Sequence, residues 1–273
     1  MDATGSVSAD PGRSSFSPTS EGLPRAGTYQ GDYRYGLAGS GPRQLAQVFD
    51  PHSREEHTFE HDMAGRLVRT DSSSLTFDGL DQLLLVEQNN DSGLAEVVVE
   101  HAHGHDQQRV RTVSNDGTTH YWFGPSLAER SGQREHYLYL GDRLIARMAY
   151  PSNEEAAPNE PTGAVTTYFH SGPAAGPFLF TDQQGRIAAE RRYTPFGHEI
   201  DSLQETGPGA NVTIGEVNYD FMDWNILNKQ TDPDTGFSYH GARWVDPDVA
   251  MWLSADPALR APDPKIMEMP WRL

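Results

Sequence analysis

The chain has 273 residues, sets 21 Lys and Arg against 39 Asp and Glu for a formal net charge of −18, and contains no cysteine. That balance argues against non-specific nucleic-acid binding, which rests on neutralising phosphates, and the lack of thiols excludes a disulfide framework or a Cys-ligated zinc site. No apolar run approaches the ~18 residues of a membrane span, and the N-terminal MDATGSVSADPGRSS lacks the basic and apolar regions of a secretory signal peptide.

Residues 1–45 are rich in Ser, Gly, Pro and Thr. They hold too little apolar surface to offset the entropy of ordering and read as a disordered leader, with Tyr29, Tyr33 and Tyr35 alternating closely enough for a short docked strand. From Ala46 to about residue 200, short strand-like runs alternate with Gly/Asp turns. They include FEHDMAGRLVR (Phe59 to Arg69), LTFDGLDQLLLVE (Leu75 to Glu87), VVVEHAHGHDQQRVRTV (Val97 to Val113) and HYLYLGDRLIARMAY (His136 to Tyr150). VTTYFH (Val165 to His170) and FLFTDQQGRIAAERRYTPFG (Phe178 to Gly197) follow.

The recurring logic is aromatic-x-aromatic, a turn carrying Asp or Gly, then Arg-Leu or Arg-Ile entering the next strand. Alternation puts the rings of each hairpin on one face, and the turn residues supply the positive φ that hairpins need. A lone hairpin is unstable, so successive units are expected to associate side by side. Helical periodicity is absent over any useful length, and the chain is predicted to be all-β. Pro151 to Ala164 reads as a solvated connection and residues 201–216 as an exposed loop. Residues 217–257 form a closing motif, and the Pro-rich tail 258–273 reads as irregular.

The closing motif contains TGFSYHGARWVDPDVAMWLSADP, Thr235 to Pro257. It resembles the core motif that closes the repeat array of Rhs/YD-repeat proteins, roughly TG-x-x-Y-x-x-ARYYDP-x-x-GR-F-x-S-x-DP. That family includes bacterial Rhs polymorphic toxins, the B and C components of Tc insecticidal toxins, and teneurins. Thr235, Gly236, Tyr239, Ala242, Arg243, Asp246, Pro247, Ser254, Asp256 and Pro257 stand at its positions. Trp244-Val245 replaces the tyrosine pair and Ala250-Met251 the usual Gly-Arg. Phe59, His61, Asp62, Gly65, Arg66 and Leu67 likewise fit the YD repeat. His170, Thr181, Asp182, Gly185, Tyr193, Pro195, Phe196 and Gly197 fit the family segment H-x-DHLGS-x-x-LVTD-x-x-G-x-V-x-x-x-Y-x-PFG, except that GPAAG stands where DHLGS is usual.

The resemblance implies stacked antiparallel hairpins in a curved or shell-like sheet that ends in the core motif. It also implies a structural, non-catalytic module: the C-terminal part of a shell that encloses or presents a C-terminal toxin, secreted or delivered through a larger system. The expected partners are the remainder of such a shell or the toxin domain, with self-association through open sheet edges; no cofactor is expected.

Three other chemistries compete. In Rhs toxins and Tc C components the core region houses an aspartic autoprotease, which would make Asp246 and Asp256 the paired carboxylates and Arg243 the stabiliser of developing charge. The bland alternative has both Asp residues starting Asp-Pro turns, and the sequence ends at Leu273 before the segment that cleaving relatives cut. His101, His103 and His105 alternate toward one strand face as a candidate metal set, although His101 and His103 also fall where the repeat places its aromatic pair. Finally, Trp122, Trp224, Trp244, Trp252 and Trp271 could stack on a glycan if exposed.

Overall fold

The computed structural model describes residues 32–37, 40–49, 54–89, 95–141, 143–152, 163–172, 177–193, 196–197, 199–203 and 229–257. The greater part of the expected leader, most of the connection after Pro151, most of the 201–216 loop, the C-terminal tail, Trp224 and Trp271 lie outside the described residues.

The first eight strands are β1 (Asp32–Tyr35), β2 (Leu45–Phe49), β3 (Glu56–His61), β4 (Leu67–Thr70), β5 (Ser73–Phe77), β6 (Leu83–Asn89), β7 (Ala95–His103) and β8 (Arg109–Ser114). The next eight are β9 (Thr119–Trp122), β10 (Leu127–Arg130), β11 (Gln133–Leu140), β12 (Arg143–Pro151), β13 (Val165–Ser171), β14 (Pro177–Thr181), β15 (Ile187–Tyr193) and β16 (Glu199–Leu203). These sixteen follow one another across a single sheet in sequence order, with β1 and β16 as its open edges. The short strands β17 (Gln230–Thr231), β18 (Ser238–Tyr239), β19 (Trp244–Asp246) and β20 (Met251–Trp252) make a second sheet. No α-helix occurs among the described residues, so the all-β expectation is the observed fold.

One local device makes strand neighbours of sequence neighbours. At Asp62–Arg66 the Asp62 amide donates to the Arg66 carbonyl (3.0 Å) and the Gly65 amide to the Asp62 carbonyl (3.0 Å). Asp62 Oδ1 accepts from the amides of Ala64 (2.9 Å) and Arg66 (3.0 Å), and its Oδ2 accepts from Arg66 Nε (2.6 Å). Asp182–Arg186 repeats the pattern, with Oδ1 taking the amides of Gln184 and Arg186 at 2.9 Å each and Oδ2 taking Arg186 Nε at 2.6 Å. The fourth residue of these turns lies in the left-handed region, at φ 83° for Gly65 and 76° for Gly185, which glycine adopts without steric cost. Five residues thus reverse the chain and satisfy their own polar groups, and the following Leu67 or Ile187 enters the next strand.

By contacts the chain divides into two units, residues 1–100 with 239–273, and residues 101–238. In the first, Tyr33, Val48, Leu67, Leu83 and Val99 are fully buried. The coil expected up to residue 45 therefore gives way at Asp32: Tyr33 pairs with Val48 across β1 and β2, and burying its ring favours strand over coil. The Leu67 amide also donates to the Leu253 carbonyl (2.8 Å), which ties the closing motif to β4. In the second unit the core gathers Ala128, Tyr137, Leu144, Phe169, Phe180 and Ala189, with Phe169 and Phe180 edge-to-face at 5.1 Å. Full burial of a side chain such as Phe180 is worth roughly 1.5–3 kcal/mol.

Candidate functional site

In the closing motif β19 and β20 pair through Val245 with Trp252 and Asp246 with Met251. The turn between them is held by Asp246, whose Oδ1 accepts from the amides of Asp248 (2.9 Å) and Val249 (3.4 Å). Ala250, where the resembling pattern has Gly, sits at φ 56°. Its left-handed backbone gives the physical reason a glycine suits that position. Arg243 lies with its guanidinium carbon 3.8 Å from the centroid of the Trp252 ring, and Nη2 donates to Asp256 Oδ2 at 3.1 Å. Burial lowers the Arg243 pKa and the Asp256 carboxylate works against that shift, so the guanidinium keeps its charge. Of the three candidate catalytic residues, Arg243 and Asp256 are brought together, while Asp246 is engaged by the turn it caps.

The three candidate metal-ligating histidines do not share a strand. His101 and His103 end β7, and His105 lies in the Gly104–Gln108 turn, where the Gly104 amide donates to the Gln108 carbonyl (2.8 Å). That turn breaks the alternation on which a common face depended. His101 is buried and its Nδ1 meets Thr112 Oγ1 at 2.8 Å. Burial first, then the neighbouring Arg109 and His103, hold it well below the ordinary histidine range, in the neutral form. Among the described residues no group of three or more His, Cys, Asp and Glu side chains could hold a metal ion.

A polar cluster that the sequence did not single out lies within the second unit. Buried Arg109 stacks on Trp122, 3.8 Å from the ring centroid, and donates through Nη2 to Oε1 of Gln230, 121 residues further along. Asp232 follows Gln230 by two residues and is 3% exposed. Its Oδ1 accepts from the amides of Asp234 (3.1 Å) and Thr235 (3.0 Å) and from Thr235 Oγ1 (3.1 Å). Burial raises its pKa, with Arg109 the leading opposing influence. His120 stacks on Trp122 at 3.8 Å, and its Nε2 finds no hydrogen-bond partner among the described residues. Burial lowers its pKa to about 3; the Glu135 carboxylate opposes that shift and three arginines add to it.

These groups line a cavity of about 20 Å³, room for one water molecule rather than a substrate. The arrangement compensates buried charge and couples Gln230 to β8. The signal for it was present in Asp232-Pro-Asp-Thr-Gly, an Asp-initiated turn, but nothing local named Arg109 as its neighbour.

Of the candidate glycan-stacking rings, Trp244 is buried, Trp122 lies between Arg109 and His120, and Trp252 is 41% exposed but carries Arg243 on its face.

The fold is similar to that of solved structures. The chain aligns with the structure entitled "Crystal Structure of TcdB2-TccC3" over 93% of its own length and 14% of that chain, with a TM-score of 0.56 at 16% identity. It aligns with "Crystal Structure of TcdB2-TccC3-Cdc42" over 84% of its length and 12% of that chain, with a TM-score of 0.54 at 14% identity. In sequence it is 24% identical over 226 residues to "Double-stranded DNA deaminase toxin A" of Burkholderia cenocepacia (strain H111), which covers 73% of this chain and 15% of that protein. No family model matches the chain. The chain therefore spans only a small part of each protein it matches.

Proposed function

We propose that the chain is a wall segment of an Rhs/YD-repeat β-shell, the C-terminal part of a structure that encloses or presents a toxin or effector delivered through a larger system. The observation that carries this reading is the single sheet of hairpins in sequence order, turned by Asp-x-x-Gly-Arg loops and followed by the closing motif, in the fold of TcdB2-TccC3. The toxin named in the sequence match supports the same reading. The expected partners are neighbouring shell strands and the enclosed cargo. Among the described residues β1 and β16 each have a strand neighbour on one side only, and such edges template further strands. The isolated chain is expected to associate with itself through these edges. Size-exclusion chromatography with light scattering should give a mass above 30.2 kDa that rises with concentration; a monodisperse monomer at every concentration would overturn the open-edged wall.

In this reading Arg243, Asp246 and Asp256 fasten the closing motif rather than cut it. The Arg243–Asp256 pair and the Asp246 turn bonds support the fastening role. Asp256→Asn should then lower the urea midpoint by a cost of roughly 1–3 kcal/mol, since it removes a charge-assisted bond to a half-buried guanidinium. An Asp256→Asn chain as stable as wild type that loses a proteolytic cut seen in the parent protein would favour the autoprotease instead.

A further inference from the structure

The small polar cavity of the second unit is walled mostly by hydrogen-bond donors. Thr112 stands opposite His120 across β8 and β9, and His120 opposite Arg130 across β9 and β10, so the three share one row of the sheet. With Arg109, Gln230 and Asp232 they face about 20 Å³, the size of a single water-sized body. The acceptors on this lining are engaged. Gln230 Oε1 takes the Arg109 guanidinium, and Asp232 Oδ1 takes two backbone amides and the Thr235 hydroxyl. His120 is 8% exposed, and its Nε2 has no hydrogen-bond partner among the described residues.

Charge points the same way. The guanidinium groups of Arg109 and Arg130 border the cavity against one carboxylate, Asp232, which burial pushes toward its neutral form. Glu135 also bears on His120 but is paired with Arg147. Asp116 acts on Arg130 from a fully exposed position, where solvent and salt screen the attraction. The lining therefore carries net positive charge in a place poor in water, where a compensating anion is favoured.

We propose that this cavity binds one monoatomic anion, chloride in ordinary media, held between Arg109, Arg130 and Nε2 of His120. A halide accepts hydrogen bonds from every side and needs no acceptor in return, whereas a water molecule would bring two donors to a lining whose acceptors are already engaged. Sulfate, phosphate and carboxylates exceed the volume. Gln230 and Asp232 belong to β17 and the turn after it, so the ion fastens that segment to β8, β9 and β10. The proposal does not depend on the shell reading, because halide binding is measured on this chain whether or not it forms a wall.

The test replaces sodium gluconate by sodium chloride or sodium bromide at constant ionic strength, which keeps screening fixed. The urea midpoint of the full chain and the line width of the chloride NMR resonance are followed. Both halides should raise the midpoint along a saturating curve with a millimolar or tighter constant, as a ligand of the folded state does, and bound chloride should broaden the resonance. Sodium sulfate should not displace it. Arg130→Gln and His120→Phe should each weaken halide binding by about tenfold or more, the worth of one charge-assisted bond. Arg134→Gln, which removes a half-exposed guanidinium outside the lining, should leave binding unchanged. Circular dichroism of each variant separates lost binding from lost fold. A midpoint and line width indifferent to halide, displacement by sulfate, or undiminished binding in folded Arg130→Gln and His120→Phe chains would overturn the proposal and assign the cavity to water.

Discussion

Between pH 7 and pH 5 the wild-type chain should lose about 2 kcal/mol more stability than His120→Phe, rising to about 4 kcal/mol by pH 3. The imidazole of His120 titrates near 6.5 in the unfolded chain but near 3 in the fold, because burial among Trp122, Arg109, Arg130 and Arg147 disfavours its charged form and Glu135 restores only part of the loss. On acidification the unfolded state takes up the proton first, which draws the equilibrium toward unfolding. The contribution of neutral His120 is therefore complete above pH 6.5, declines through the window below it, and is gone near pH 3.

His101 is shifted in the same direction and adds to the wild-type slope in both chains. Asp232 is shifted upward, so its protonation favours the folded chain as pH falls and opposes His120. Subtracting the His120→Phe curve removes both. Phenylalanine keeps the stack on Trp122 and cannot titrate. Urea unfolding followed by tryptophan fluorescence at pH 7 and pH 5 reads the difference directly; parallel losses in the two chains would show that His120 is not held neutral by burial.

Glu135→Leu should cost about 3–5 kcal/mol, whereas Glu135→Leu combined with Arg147→Met should lie within about 1–2 kcal/mol of wild type. Glu135 on β11 and Arg147 on β12 form a buried ion pair, with side chains 6% and 4% exposed. Glu135 also accepts from the Tyr137 hydroxyl. Burial pushes the Glu135 carboxyl up, but Arg147 and the Tyr137 hydroxyl together hold it below the usual range. Removing one partner strands the other charge without water. Removing both puts apolar side chains at a position whose cross-strand partner is buried Ala149, itself opposite Val165. The gap between single and double variants, measured by denaturant unfolding as a double-mutant cycle, is the coupling energy. A single variant costing under about 1 kcal/mol would mean that water reaches the pair.

The hairpins were legible because each is written in a few consecutive residues. Asp62, Gly65 and Arg66 satisfy one another's polar groups within five positions, and Asp182, Gly185 and Arg186 do so again, so the pattern names both the turn and the strands on either side. The Asp-Pro turn at Asp246 was legible for the same reason. His105 was misplaced because alternation was carried across a turn whose left-handed position is filled by Gln107, at φ 63°, instead of the glycine that would have marked it. The trio Arg243, Asp246 and Asp256 was read as one constellation from a resemblance, and the geometry gives two of them to an ion pair and the third to a turn.

The amino-acid order by itself determined the all-β class, the strand succession and the turn chemistry, since these rest on hydrogen bonds and side-chain alternation over two to five residues. Only the tertiary structure decided that Arg109 meets Gln230, that Leu67 takes the carbonyl of Leu253, and that Trp244 is buried while Trp252 is exposed. Those outcomes depend on which faces of distant segments come to lie against each other. That choice is made by burying apolar area and compensating charge across more than a hundred residues, and no local pattern encodes it.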